Sequence, residues 1–180
     1  MSIVFLGVEI VLIALALLMF VSNGFGRLES SIGIMSDGIA IGKAAPAWNL
    51  LDLQGVLQRT PTHDNWQFLI FADRALGSFP LLVAGIHALS VEDNLQVLVM
   101  LRDNEEISTA VARGLNLRVP VVSVDHAFYE RFRVRVMPFA FLIDPSGIVR
   151  WADLAISEEQ MRHVWHLTSK VEHEIEMIGG

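Results

Sequence analysis

Apolar residues fall in short runs along this chain, and the spacing between them predicts alternating strands and helices from Pro46 onward. "WQFLIFA" (Trp66–Ala72) and "LQVLVML" (Leu95–Leu101) are nearly unbroken runs of strand length, the pattern of strands covered on both faces. "WNLLDLQGVLQ" predicts an extended pair turning at Gln54-Gly55, and "VPVVSV" a further strand. "FAFLIDPSGIVRWA" predicts two strands about the turn Asp144-Pro145-Ser146-Gly147. Between them lie helical stretches: 78–89, covered by its apolarity; "NEEISTAVARG", with Asn104 as N-cap and Gly114 at its end; "DHAFYERF", capped by Asp125. "SEEQMRHVWHLTSKVEHEIEMI" is the last, opened by the capping box Ser157 to Gln160. The order β-α-β-α-β-α-β-β-α implies an α/β fold with a mixed sheet between helices.

The pattern is different at the N-terminus. Ile3–Val21 carries one charge, Glu9. As a helix it comes close to the ~30 Å of a bilayer's hydrocarbon. A cleaved signal peptide wants Lys or Arg ahead of the run and an Ala-x-Ala site behind it, and both are missing. The expectation is therefore a transmembrane anchor over 1–22, a Gly/Ser-rich juxtamembrane connector over 23–45, and one domain over 46–180. Glu9 in hydrocarbon costs a few kcal/mol unless neutral, paired or near the headgroups. Contact with another membrane helix and snorkelling to the surface both account for it.

Composition narrows the chemistry. The chain has 180 residues, 53% hydrophobic and 18% charged, with net charge −7. Without a Lys/Arg cluster, nucleic acid is not an expected partner. There is no cysteine, which excludes disulfides, thiolate catalysis and cysteine-ligated metals.

Three segments carry a resemblance: "IGKAAPAWNLLDLQGV", "FADRALGSF" and "FRVRVMPFAFLIDPSGIVR". They resemble the membrane-anchored branch of the thioredoxin-like family, the thiol-disulfide oxidoreductases of cytochrome c maturation and the accessory protein of methylamine dehydrogenase maturation. The resemblance covers about Ile41 to Ile178 and implies a thioredoxin-like fold with a single N-terminal membrane helix. It places the family's Cys-x-x-Cys on Leu76, Gly77, Ser78 and Phe79; aligned backwards from Pro80, the cysteine positions fall on Ala72 and Ala75. In both registers the sulfurs are missing, so redox exchange does not carry over. Pro138 matches the family's cis-proline, and Met137 the residue facing the cysteine loop, whose backbone pairs with an extended partner segment. Leu76, Phe79 and Met137 then form either an apolar docking patch or a filled-in core. The resemblance also implies an extracytoplasmic, periplasmic domain, against the weak opposite bias of Arg27 and Lys43.

Other candidates carry less. His163 and His166 share a helix face at metal-pair spacing, without an evident third ligand; His173 follows on the same helix, and His63, His87 and His126 are scattered. Ser78 has no neighbouring histidine to activate it. Arg131, Arg133 and Arg135, if extended, point one way as a cationic edge. Tyr129, the sole tyrosine, reads as packing. No cofactor and no metal are expected. The sequence favours a non-enzymatic, anchored interaction module serving a larger membrane complex, binding other subunits or an extended peptide. A thiol-independent enzyme or maturation partner using another protein's cysteines, and an extracytoplasmic chaperone for apolar peptides, stand as alternatives.

Overall fold

The central strand β3 (Trp66–Ala72) is buried along its whole length, so both of its faces must be covered. Side chains alternate across a strand. Trp66, Phe68, Ile70 and Ala72 therefore enter one apolar layer, and Leu69 and Phe71 the other. A computed structural model describes residues 37–73, 79–155 and 157–179; side chains of 79–81 and 169–179 are outside the description.

Among the described residues, seven strands and four helices follow the expected order. They are β1 (Trp48–Leu51), β2 (Leu57–Thr60), β3, α1 (Phe79–Leu89), β4 (Leu95–Leu101), α2 (Glu105–Gly114), β5 (Val121–Ser123), α3 (His126–Arg131), β6 (Phe139–Ile143), β7 (Val149–Leu154) and α4 (Glu158–Gly179). The main sheet has the order β5-β4-β3-β6-β7. Strands β3, β4 and β5 run parallel, whereas β6 and β7 are antiparallel. The mixed sheet read from the sequence is thus present.

Helices α1 and α4 cover one face. Leu82, Ile86 and Leu89 of α1 and Met161 and Trp165 of α4 join that layer, and the Trp66 and Trp165 rings meet edge-to-face with centroids 6.1 Å apart. The two helices approach closely at Gly85, where a Cβ would stand 3.0 Å from Glu158 Cα. Helix α3 covers the other face with an aromatic cluster centred on Phe71, whose ring lies 5.0 to 6.1 Å from those of Phe128, Tyr129, Phe132 and Phe141. The three expected caps are formed. Asn104 Oδ1, Asp125 Oδ1 and Ser157 Oγ accept from the N–H groups of Ile107, Phe128 and Gln160.

The hairpin β1–β2 is fastened by a buried polar chain. Gln58 Nε2 donates to Asp52 Oδ2, Gln96 Nε2 to Gln58 Oε1, Gln67 Nε2 to Gln96 Oε1, and Thr60 Oγ1 to Gln67 Oε1. Gln67 Nε2 also donates to the Arg59 carbonyl. A carboxylate accepts only, so Asp52 sets the direction of every amide behind it.

Asp37–Ala45, expected as the tail of a connector, rides on the domain. Gly38, Gly42 and Ala45 donate to the carbonyls of Arg133, Val149 and Gly147. Asp37–Gly180 forms one compact unit. The apolar run Ile3–Val21, and Glu9 within it, lie outside the described residues; among those described, no helix is long and apolar enough to cross a membrane.

Candidate functional site

The carboxyl ends of β3 and β4 lie side by side, because the parallel register pairs Ala72 with Leu101. The next residues, Asp73 and Arg102, carry opposite charges and form an ion pair at 2.7 Å. The sequence did carry this signal: each apolar run of β3 and β4 is followed directly by a charge, acidic in one and basic in the other. It went unread because nothing local says that the two runs are neighbours.

Tyr129 completes the arrangement. Its hydroxyl lies 2.8 Å from the Ala72 carbonyl and 2.9 Å from that of Met100, and it donates its single proton between them. The Arg102 guanidinium sits over the ring, 5.5 Å from its centroid. Burial pushes the phenol well above its ordinary pKa; Arg102 opposes this and Asp73 adds to it, so the group stays neutral. Tyr129 is core, and its hydroxyl holds together the strand ends from which the 74–78 junction departs.

On the opposite side of β3, the register pairs Phe71 with Phe139. Pro138 and Met137 immediately precede Phe139, so the loop they form enters β6 next to the carboxyl end of β3. The Met137-Pro138 bond is cis. Pro138 is buried, and its carbonyl accepts from Ala155 at 3.0 Å. Met137 is half-buried against the aromatic layer. Among the described residues, no hydrogen bond engages the Met137 backbone N–H or carbonyl. Val136, one residue earlier, is 51% exposed and donates its N–H to Asp37 Oδ2.

Leu76, Gly77 and Ser78 lie outside the described residues. Phe79 opens α1, and its side chain is likewise outside the description. The structure thus brings Met137 and Pro138 to the edge of the β3–α1 junction.

The expected cationic edge needs correction. Arg131 ends helix α3 and donates to the Ala47 carbonyl, and Arg133 has a left-handed backbone at φ 57°. The segment is a helix end and a turn, so the three arginines do not alternate along a strand. His163 and His166 are exposed on α4. Among the described residues, no group of three or more His, Cys, Asp or Glu could hold a metal ion. Ser123 Oγ donates to the Asp103 carbonyl, which is not the geometry of an activated nucleophile.

A mixed five-stranded sheet between helices, with a proline loop entering β6 beside the end of β3, defines a thioredoxin-like fold. Solved structures agree. The chain is similar to a putative thiol:disulfide interchange protein DsbE from Chlorobium tepidum at TM-score 0.64 and 16% identity, covering 71% of this chain and 94% of that one. It is similar to a putative protein disulfide isomerase from Bacteroides thetaiotaomicron at 0.63 and 18%, covering 76% and 93%. StoA from Bacillus subtilis follows at 0.57 and 13%, covering 66% and 95%. At these identities the likeness is one of fold. No protein-family model matches the chain. No curated protein matches it in sequence.

Proposed function

We propose that this chain is a redox-inactive, membrane-anchored interaction module, an accessory subunit or assembly factor of a larger membrane complex. One observation carries the reading: a thioredoxin-like fold without a single cysteine in 180 residues. The similar protein from Chlorobium tepidum is described as a thiol:disulfide interchange protein, and that chemistry begins with a thiolate. No residue of this chain can supply one. What is left at the corresponding place is a recognition surface, the unengaged Met137 backbone beside the β3–α1 junction. An extended partner segment added there gains main-chain hydrogen bonds, with side-chain contacts for specificity. The apolar run Ile3–Val21 supports anchoring, and the likeness in fold to thiol:disulfide interchange proteins favours an extracytoplasmic domain.

The full chain, extracted in mild detergent and sized, should migrate in one defined large complex. Phe79→Asp should release the partner while leaving far-UV circular dichroism unchanged, and an insulin-reduction assay should read zero. Association undiminished by Phe79→Asp would falsify docking at this junction. Insulin turnover would overthrow the inactive assignment, and heterogeneous clients would favour a chaperone.

A further inference from the structure

Helices α2 and α3 end in the same way, and the difference between their closing residues is informative. At the end of α2, Leu117 N–H donates to the Ala112 carbonyl and Asn116 N–H to that of Arg113, at 2.9 and 3.1 Å. At the end of α3, Val134 N–H donates to the Tyr129 carbonyl and Arg133 N–H to that of Glu130, at 3.0 and 2.9 Å. Each closure needs one left-handed residue, usually glycine and sometimes asparagine. Helix α2 uses Asn116 at φ 50°; α3 uses Arg133 at φ 57°. The other described non-glycine residues with positive φ are His63 and Asn94, types that tolerate that region better than arginine does. The arginine is held at a conformational cost that glycine would avoid.

Arg133 lines a cleft of about 450 Å³ together with Arg102, His126, Glu130, Val134 and Arg135. Part of its charge is matched internally. Arg102 binds Asp73, and His126 Nε2 stands 3.5 Å from Glu130 Oε1. Arg133 has no carboxylate partner among the described residues. With three arginines against one glutamate in its lining, the cleft carries a positive formal excess in a chain of net charge −7. Arg135, in the cleft's lining, is two residues before Met137 in the chain.

We propose that this cleft is a carboxylate subsite, seating an acidic side chain of the extended segment that pairs with Met137. The inference rests on the docking reading above and adds the partner's chemistry to it. In an extended partner segment, residues two apart lie on one face at about 7 Å. An acid two positions from the residue opposite Met137 would face the cleft, in whose lining the Arg133 guanidinium is a planar donor pair of the kind that matches a carboxylate. Glu130, on the cleft wall and beside His126, disfavours a second acid at the same place.

The test uses the full chain in neutral detergent, with fluorescein-labelled eight-residue peptides of alternating Val-Glu or Val-Gln and anisotropy as readout. The Val-Glu peptide should bind about fivefold tighter at low salt and lose that advantage at high salt. Arg133→Gly should abolish the advantage while leaving Tm unchanged or raising it by roughly 2–4 °C, since glycine relieves the left-handed turn. Loss of binding in a variant at least as stable cannot come from unfolding. Arg133→Lys should keep part of the advantage. Equal affinity for the two peptides would overturn the carboxylate subsite and leave docking standing; binding of neither peptide would overturn both. Full displacement of the Val-Glu peptide by equimolar inorganic phosphate would make the cleft a small-anion site and overturn the peptide assignment.

Discussion

Replacing Asp52 by asparagine exchanges one oxygen for an NH2 group, and the consequence runs through four side chains. Asp52 Oδ1 accepts the N–H groups of Gln54 and Val56 at 2.8 and 2.9 Å, so this position must remain an oxygen. The new NH2 group therefore faces Gln58 Nε2, a donor against a donor at 2.8 Å. The amides of Gln58, Gln96 and Gln67 can all turn over in response. Once Gln67 has turned, its oxygen faces the Arg59 carbonyl, to which its nitrogen now donates at 2.8 Å, and its nitrogen faces the Thr60 hydroxyl. Turning the chain thus moves the conflict and does not remove it. Gln67 is fully buried and Gln58 and Thr60 nearly so, leaving little water to fill the gap. One buried polar group left without its partner costs about 1–3 kcal/mol. For a domain of this size that is roughly 3–10 °C in Tm. Near-UV circular dichroism, reporting on the tryptophans, follows the unfolding. Asp64→Asn, at an exposed acid, serves as the control and should change little. An unchanged midpoint for Asp52→Asn would refute the directional argument.

Two further substitutions probe the frame that carries the site. Gly85→Val places a branched side chain where a Cβ already meets Glu158 Cα at 3.0 Å; it should cost about 1–3 kcal/mol, read as a lower urea midpoint, and an unchanged midpoint would mean that α1 and α4 are not so closely packed. Asp144 is held below the ordinary carboxylate range: burial alone raises it, but the Ser146 hydroxyl, the Ile148 N–H and the Arg150 guanidinium together outweigh burial. A lowered folded pKa contributes stability above the unfolded value, about 4, and loses it as pH falls through the folded value. Asp144→Asn should therefore destabilise at pH 7, with the gap to the parent closing as acid protonates the folded carboxyl, whereas a gap that stays equal down the acid range would show that the charge is not responsible.

Local periodicity was enough to read the strands and helices. β3 and β4 coincide with their apolar runs residue for residue, and the three predicted caps form, because a buried strand and a capped helix are each specified within a few residues. Cysteine content, also a property of composition alone, removed thiol chemistry before any fold was known. The Met137-Pro138 loop could be located from its motif, and it does stand at the end of β3. Other features needed the chain to be folded. The ion pair of Asp73 with Arg102 spans 29 positions, and Tyr129 reaches Ala72 across 57, so no window of sequence contains either pair. Arg131, Arg133 and Arg135 looked like one face of a strand because alternation is the only signal they carry. The closing turn of α3 sends Arg133 left-handed, and that is decided by hydrogen bonds back to Tyr129 and Glu130. Sequence sets what each segment prefers and which reactions are unavailable; which charges meet is settled only when the sheet brings distant strand ends together.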